Sequence, residues 1–194
     1  MKNNPTVIND NTNNDKEVLE TYMNLVDPDN TFYIDIGSST EFNISNDRIL
    51  ASEQTIFFEC DPLKVAAYNN IQRPNFSMIS EKVTPDNILE LIQNITSNNN
   101  PKLVDMDIDG YDYFVLDSLL SKIKPSLLVA EINEKIPPPI KFTVNYWPEY
   151  WFTDLNVCGN GLDTHFYGMS LSKFYELAHK YDYDVINLTF NNVY

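Results

Sequence analysis

The stretch "KLVDMDIDGYDYF", residues Lys102 to Phe114, sets two readings against each other. Three aspartates alternate with apolar residues and then meet a glycine. A calcium loop of the EF-hand kind needs D-x-[DN]-x-[DN]-G followed by a bidentate Glu at position twelve. Counted from Asp105, the residues Asp105, Asp107, Asp109 and Gly110 fit. Position twelve is Leu116, however, and the next glutamate is Glu131. Position eight, which should be apolar, is Asp112. Such a loop also sits between two helices, whereas Leu103, Val104, Met106 and Ile108 precede the glycine in a strand-like pattern. The calcium reading fails on its last ligand and on its context.

A strand reading accommodates the same residues. Period two puts Val104, Met106 and Ile108 on one face and Asp105, Asp107 and Asp109 on the other. Unpaired carboxylates are expensive to bury, so this strand is expected to end near water, a ligand or a metal. Gly110 permits a tight turn, and "YDYFVLDSLLSKI" continues with apolar residues at helical spacing. Strand, turn and helix together make half of a βαβ unit.

Outward from this unit, the same alternation recurs. Asp15 is placed to cap a helix through "KEVLETYMNLV". "DPDN" breaks the chain before "TFYIDIG", a strand ending in glycine, and "TIFFECD" reads as a second strand. Pro62 opens a helix through "LKVAAYNNIQ", and "FSMISEKV" is a third strand. "TPDNILELIQNI" is a helix with Thr84 as cap and Pro85 at its first position. The aspartate strand and its helix follow, then "SLLVAEINE". Strands alternating with helices imply a mostly parallel sheet covered on both faces. "SLSKFYELAHKY" is the last helix, and "YDVINLTF" with "NNVY" reads as a closing strand pair that ends the sheet antiparallel. Residues 1–14 form a polar tail expected to be disordered. Residues 15–194 form one domain, in which 135–167 is too long for an ordinary connector and reads as a lid or substrate-binding insertion.

The chain has 194 residues, enough for one domain with a real core, and its formal charge is −15. That balance argues against nucleic acid and anionic membranes, since phosphates need clustered Lys and Arg. It tolerates a cationic cofactor or a neutral substrate. The two cysteines, Cys60 and Cys158, have no zinc-ligand spacing. Free thiols, a polar start and no apolar run of membrane-spanning length lead to the expectation of a cytoplasmic chain. Asparagine makes up roughly one residue in eight, far above ordinary usage, and tracts such as "NDNTNND" read as coding bias or surface.

In an open α/β sheet, ligands bind at the carboxyl ends of the strands. Collected there are Asp35, Gly37 and Ser38 from the first strand, Glu59 and Asp61 from the second, and Ser80 and Glu81 from the third. The fourth brings Asp107 and Asp109, and the fifth Glu131 and Asn133. This edge is acidic and poor in Lys and Arg. With no GxGxxG and no GxxxxGK[ST], phosphate cradles and nicotinamide cofactors are disfavoured. An acid closing the second strand after a glycine turn on the first suits ribose hydroxyls. A ligand with a ribose, no phosphate and a positive sulfonium is S-adenosylmethionine.

At this point the sequence resembles class I methyltransferases, and among them the FkbM-type family. The matching pieces are "YIDIGSS", "SNDRIL", "IFFECDP", "VTPDNILELI", "VDMDIDGYDYFVL", "PSLLVAEINEKIPPP" and "FYGMSLSKFYELAHKYDYDVI", which cover most of the chain from Phe32 onward. The resemblance implies a Rossmann-like sheet, S-adenosylmethionine as cofactor, and methyl transfer to an oxygen of a small molecule or glycan. By position, Asp35 and Gly37 match the first cofactor motif, Glu59 the ribose acid, and Asp107 the acid closing the fourth strand. After "DIG" the family has a second glycine or small residue, where this chain has "SSTEF".

A hydroxyl acceptor benefits from a general base or a metal. The candidate bases are His165, Asp109 and Glu131, His165 alternatively being an ordinary loop histidine. Asp107, Asp109 and Glu131 have two open roles: ligands of Mg²⁺, or a hydrogen-bonded carboxylate shell around turn amides. The aromatics Tyr146, Trp147, Tyr150, Trp151 and Phe152 read either as a face for a sugar or apolar ring, or as packing of the long loop. The rival to an active enzyme is a methyltransferase-like scaffold that has lost turnover.

Overall fold

The structure is a computed structural model and describes residues 15–38, 52–68, 75–108, 110–148 and 167–189. Helix α1 (Asp15–Leu25) leads into β1 (Phe32–Ile36). Then come β2 (Gln54–Phe58), α2 (Pro62–Tyr68), β3 (Phe76–Ile79) and α3 (Ile88–Gln93). β4 (Leu103–Met106), α4 (Asp112–Leu120), β5 (Leu127–Ala130) and α5 (Leu171–Lys180) complete the order. The strands form one sheet in the order β3-β2-β1-β4-β5, and every pair is parallel. The chain winds outward from β1 to β3 and then returns to β4 beside β1. The reversal falls between β1 and β4, where an α/β sheet opens its ligand crevice.

Why these segments become strands follows from burial on both faces. All five residues of β1 are buried, as are all four of β4, and such strands read as continuous apolar runs. One face carries Phe32, Ile34, Ile36, Ile56, Phe58, Val104 and Met106. Against it pack Ile88 and Ile92 of α3, Val115, Leu116, Leu119 and Leu120 of α4, and Leu177 of α5. The other face carries Tyr33, Phe57, Leu103 and Leu127, covered by Leu19 and Met23 of α1. Leu19 and Met23 stand four apart and so share a helix face. Full burial of each such side chain contributes about 1.5–3 kcal/mol. Asp35 and Asp105 break the apolar pattern of that second face.

Local chemistry fixes the turns. Asp112, the first residue of α4, accepts from the amides of Ile108 and Gly110, both at 2.9 Å. Ser170 caps α5 by accepting from the Lys173 amide. At α3 the expected cap is displaced: Asn87, not Thr84, is the N-cap residue. Its Oδ1 accepts from the Thr84 amide at 2.7 Å, which folds residues 84–87 into a turn ahead of the helix.

The expected antiparallel closing strand is corrected. β5 is the last strand of the sheet among the described residues, and it is parallel. Residues 183–189 adopt no strand, and the rest of that expected strand pair lies outside the described residues. The alternation of Val185, Ile186 and Leu188 is strand-like in sequence, yet Ile186 and Leu188 remain exposed. Period two records a preference, and without a buried face to satisfy, it selects no partner. Tyr183 instead donates its hydroxyl to the Pro125 carbonyl at 2.7 Å. No helix among the described residues is long and apolar enough to cross a membrane.

Candidate functional site at the carboxyl edge of the sheet

The ladder continues one residue past each strand, which fixes the rim. Gly37 and Ser38 donate to the Phe58 carbonyl at 2.9 and 3.1 Å. Glu59 donates to Ile79, Asp107 to Ile36 and Glu131 to Met106, at 3.1, 2.9 and 3.1 Å. Gly37, Glu59, Asp107 and Glu131 therefore stand at neighbouring positions along one edge. Gly37 has φ +88, and a Cβ there would fall 1.7 Å from the Asp107 carbonyl oxygen. Only glycine permits both that backbone and that approach.

Below the rim lies a buried pair of acids. β1 and β4 register Asp35 opposite Asp105, roughly 4.8 Å apart in backbone position as neighbouring strands are. Both are buried, at 8% and 5% exposure. Burial first, and the Asp105 charge second, push the Asp35 carboxyl up from 3.8 to about 8, with Asp107 and Glu59 adding to the rise and Ser38 opposing it. Two carboxylates this close in a dry site cannot both ionise. The Asp35–Asp105 pair accordingly shares a proton at neutral pH, which can be donated in a hydrogen bond. Ser38 is buried, and its hydroxyl donates to the Asp35 backbone carbonyl at 3.3 Å.

Glu59 is 6% exposed, and its Oε2 stands 3.5 Å from Lys64 Nζ. Its Oε1 accepts from the Asp61 amide at 2.8 Å. Asp61 in turn accepts from the Leu63 amide at 2.8 Å and caps α2, which occupies one of its oxygens. Ser80 and Asp107 are exposed at the ends of β3 and β4, and Glu131 is half-buried at the end of β5. Asp109 and His165 lie outside the described residues.

Among the described residues, no three His, Cys, Asp or Glu side chains come together as a metal site. Those residues do not by themselves fit Mg²⁺. At the turn after β4 it is Asp112, 1% exposed, that accepts from the Ile108 and Gly110 amides. For S-adenosylmethionine the donor set does fit: a buried acceptor at the end of β2, a glycine turn on β1, and an acidic rim suited to a positive sulfonium.

The long insertion is anchored at its base. The Asn133 side chain donates to the Tyr167 carbonyl at 3.0 Å, and its backbone to Met169 at 2.8 Å. Thr143 bridges Met169 antiparallel, and Ser170 Oγ donates to the Ile140 carbonyl at 2.7 Å. Lys141 and Lys173 both reach Glu176, each at 2.6 Å. Of the loop aromatics, Tyr146 packs inward on Tyr111 and Phe114, whereas Trp147 is exposed. Tyr150, Trp151 and Phe152 lie outside the described residues. A cavity of about 290 Å³ lies at the opposite end of the sheet, lined by Phe32, Glu53, Gln54, Asn75, Ser77 and Asn98.

Asp105 was missed as a site residue by sequence reasoning. Its signal was present in the alternation of "VDMD", but its partner Asp35 is set only by strand pairing. The fold and rim define an α/β protein of Rossmann-like arrangement. No protein-family model matches the chain, and no curated protein matches it.

Proposed function

We propose that this chain is an S-adenosylmethionine-dependent O-methyltransferase, of the FkbM type that its motifs resemble, acting on a hydroxyl of a small molecule or glycan. The observation carrying this reading is that Gly37 and Glu59 stand one residue past the ends of the paired strands β1 and β2, with the reversal of winding on the other flank of β1. A buried acceptor beside a left-handed glycine turn suits a ribose, and the acidic rim disfavours a pyrophosphate, which would meet like charge. When bound, the cofactor supplies an electrophilic methyl group on sulfur. Glu59 accepts from the ribose hydroxyls, and the glycine turn lets backbone approach the ligand. Asp107 and Glu131 hold the acceptor hydroxyl at the rim, with Asp109 and His165 as further candidate bases. Much of the rate comes from positioning, since transfer is an in-line displacement.

Thermal melting with S-adenosylmethionine and S-adenosylhomocysteine, with and without Mg²⁺, tests the reading. Ligand at about a hundred times its dissociation constant adds roughly 2.7 kcal/mol. Glu59→Ala is expected to abolish that shift; an unchanged shift in this variant would remove the ribose assignment. The second reading is a catalytically degenerate scaffold. The Lys64–Glu59 pair favours it, because the ribose acid already has a partner, as does "SSTEF" in place of a second glycine. Absence of any ligand shift in the native protein would select the scaffold.

A further inference from the structure

The peptide that joins Asp107 to Ile108 is held from both sides. Its carbonyl packs on the Gly37 turn so closely that a Cβ on Gly37 would fall 1.7 Å from the Asp107 oxygen and 3.1 Å from Ile108 Cγ2. A planar trans peptide points its N–H the opposite way, and the Ile108 N–H donates to Asp112 Oδ1 at 2.9 Å. Oδ2 of the same carboxylate accepts from the Gly110 amide, also at 2.9 Å. Asp112 is 1% exposed and is the first residue of α4. A carboxylate brings two acceptor oxygens to two turn amides, which no amide side chain can do. With either bond lost, the peptide is free to rotate, and the Asp107 carbonyl leaves Gly37.

The same side chain stands at the base of the long insertion. Gly168 takes φ +54, and a Cβ there would lie 4.0 Å from Asp112 Oδ2. The Gly168 carbonyl accepts from the Val144 amide and the Thr143 hydroxyl, both at 3.3 Å. The Gly37 turn, the turn after β4 and the base of the insertion are thus joined through one buried carboxylate. A rim already held in its bound shape loses less freedom when a ligand arrives.

We propose that Asp112 is a positioning residue of the carboxyl-edge site: acting through the Ile108 and Gly110 amides, it holds the Asp107–Ile108 peptide against the Gly37 turn on which the cofactor lies. The proposal rests on the methyltransferase reading and adds to it a residue that acts through the turn rather than on the ligand. Calorimetry with S-adenosylhomocysteine compares the native protein with D112N, D112E and K102M at a temperature where all are folded. D112N offers one acceptor oxygen and turns an amino group toward the other amide, so it should bind about tenfold more weakly. D112E keeps both oxygens and should recover affinity to within about threefold of native. K102M removes a buried donor at the amino end of the sheet and should bind like the native protein. Native affinity in folded D112N, or a loss in D112E or K102M equal to that in D112N, would overturn the positioning role. Amide exchange reads the same link in the native protein without a substitution. Ile108 and Gly110 should exchange about tenfold more slowly with S-adenosylhomocysteine bound, and unchanged exchange at both would overturn the role. Native protein that binds neither S-adenosylmethionine nor S-adenosylhomocysteine removes the methyltransferase reading and the positioning role together, whereas equal binding by native and D112N protein removes the role alone.

Discussion

At the amino end of the sheet Lys102 is 1% exposed, and its Nζ donates to the Asp27 carbonyl at 2.8 Å. At the carboxyl end Asp35 and Asp105 are buried beside each other, at 8% and 5% exposure, with Glu59 and Asp107 adding charge of the same sign. Around Lys102 the polar groups are matched. Asp27 Oδ2 accepts from Asn30 and Ser126 at 2.9 and 3.2 Å, and Asn30 donates again to the Asn100 carbonyl at 3.0 Å. Ser52 and Thr55 hydrogen-bond each other at 2.7 Å. Donors meet acceptors there, and the result is stability. At the other end Asp35 faces carboxylates of its own kind, which hold its proton on, an arrangement that suits a ligand bringing donors and positive charge. Strain is divided in the same way: Asp27 takes φ 43 with its oxygens satisfied, whereas Gly37 takes φ +88 against the Asp107 carbonyl.

Gly37→Ala tests the acidic end most severely. The added methyl would fall 1.7 Å from the Asp107 oxygen, so β1 and β4 must part. A loss of about 4 kcal/mol in denaturant unfolding is expected, together with loss of the cofactor-induced melting shift. A variant that melts like the native protein would mean the rim yields easily and that Gly37 is not its constraint.

Lys102→Met tests the opposite end. The side chain is shortened only by its ammonium, and the Asp27 carbonyl loses its charged donor while keeping the Asn30 amide at 3.1 Å. Unfolding should be easier by roughly 2–3 kcal/mol, while the melting increment from S-adenosylmethionine stays at its native size. An increment that shrinks along with stability would show that the two ends are coupled, and the division of labour between them would fall.

Much of this division was legible in the sequence, and the illegible part has one physical cause. Apolar runs such as "FYIDI" and "TIFFE" mark strands buried on both faces, and strand–helix alternation leads to a parallel sheet. Gly37 announces a turn, and Glu59 falls at a strand end by counting. What a single chain does not reveal is which strand lies beside which. Asp35 and Asp105 become a pair only because β4 returns to the flank of β1. The same limit misplaces the end of the sheet, where Ile186 and Leu188 alternate like a strand and find no strand partner among the described residues. At α3, Thr84 and Pro85 are good start signals, but the Asn87 side chain reaches back and converts them into a turn.

Asp35→Asn sharpens the comparison with the smallest change. In the folded protein the Asp35 carboxyl holds its proton up to about pH 8, against an ordinary value of 3.8. The native state therefore binds more protons than the unfolded chain between those limits. Its stability is greatest below the lower value and falls as pH rises through the window. The amide cannot ionise, and its nitrogen can donate to Asp105, so the variant should lose that decline. At pH 8 it is expected to be more stable than the native protein by about 1–2 kcal/mol, and at pH 4 nearly equal. Urea unfolding across this range reads both limbs. A native stability that is flat over the window would place the shared proton elsewhere in the acid cluster. A gain for Asp35→Asn with a weakened cofactor shift would show that the acid destabilising the fold is also the one that serves the ligand.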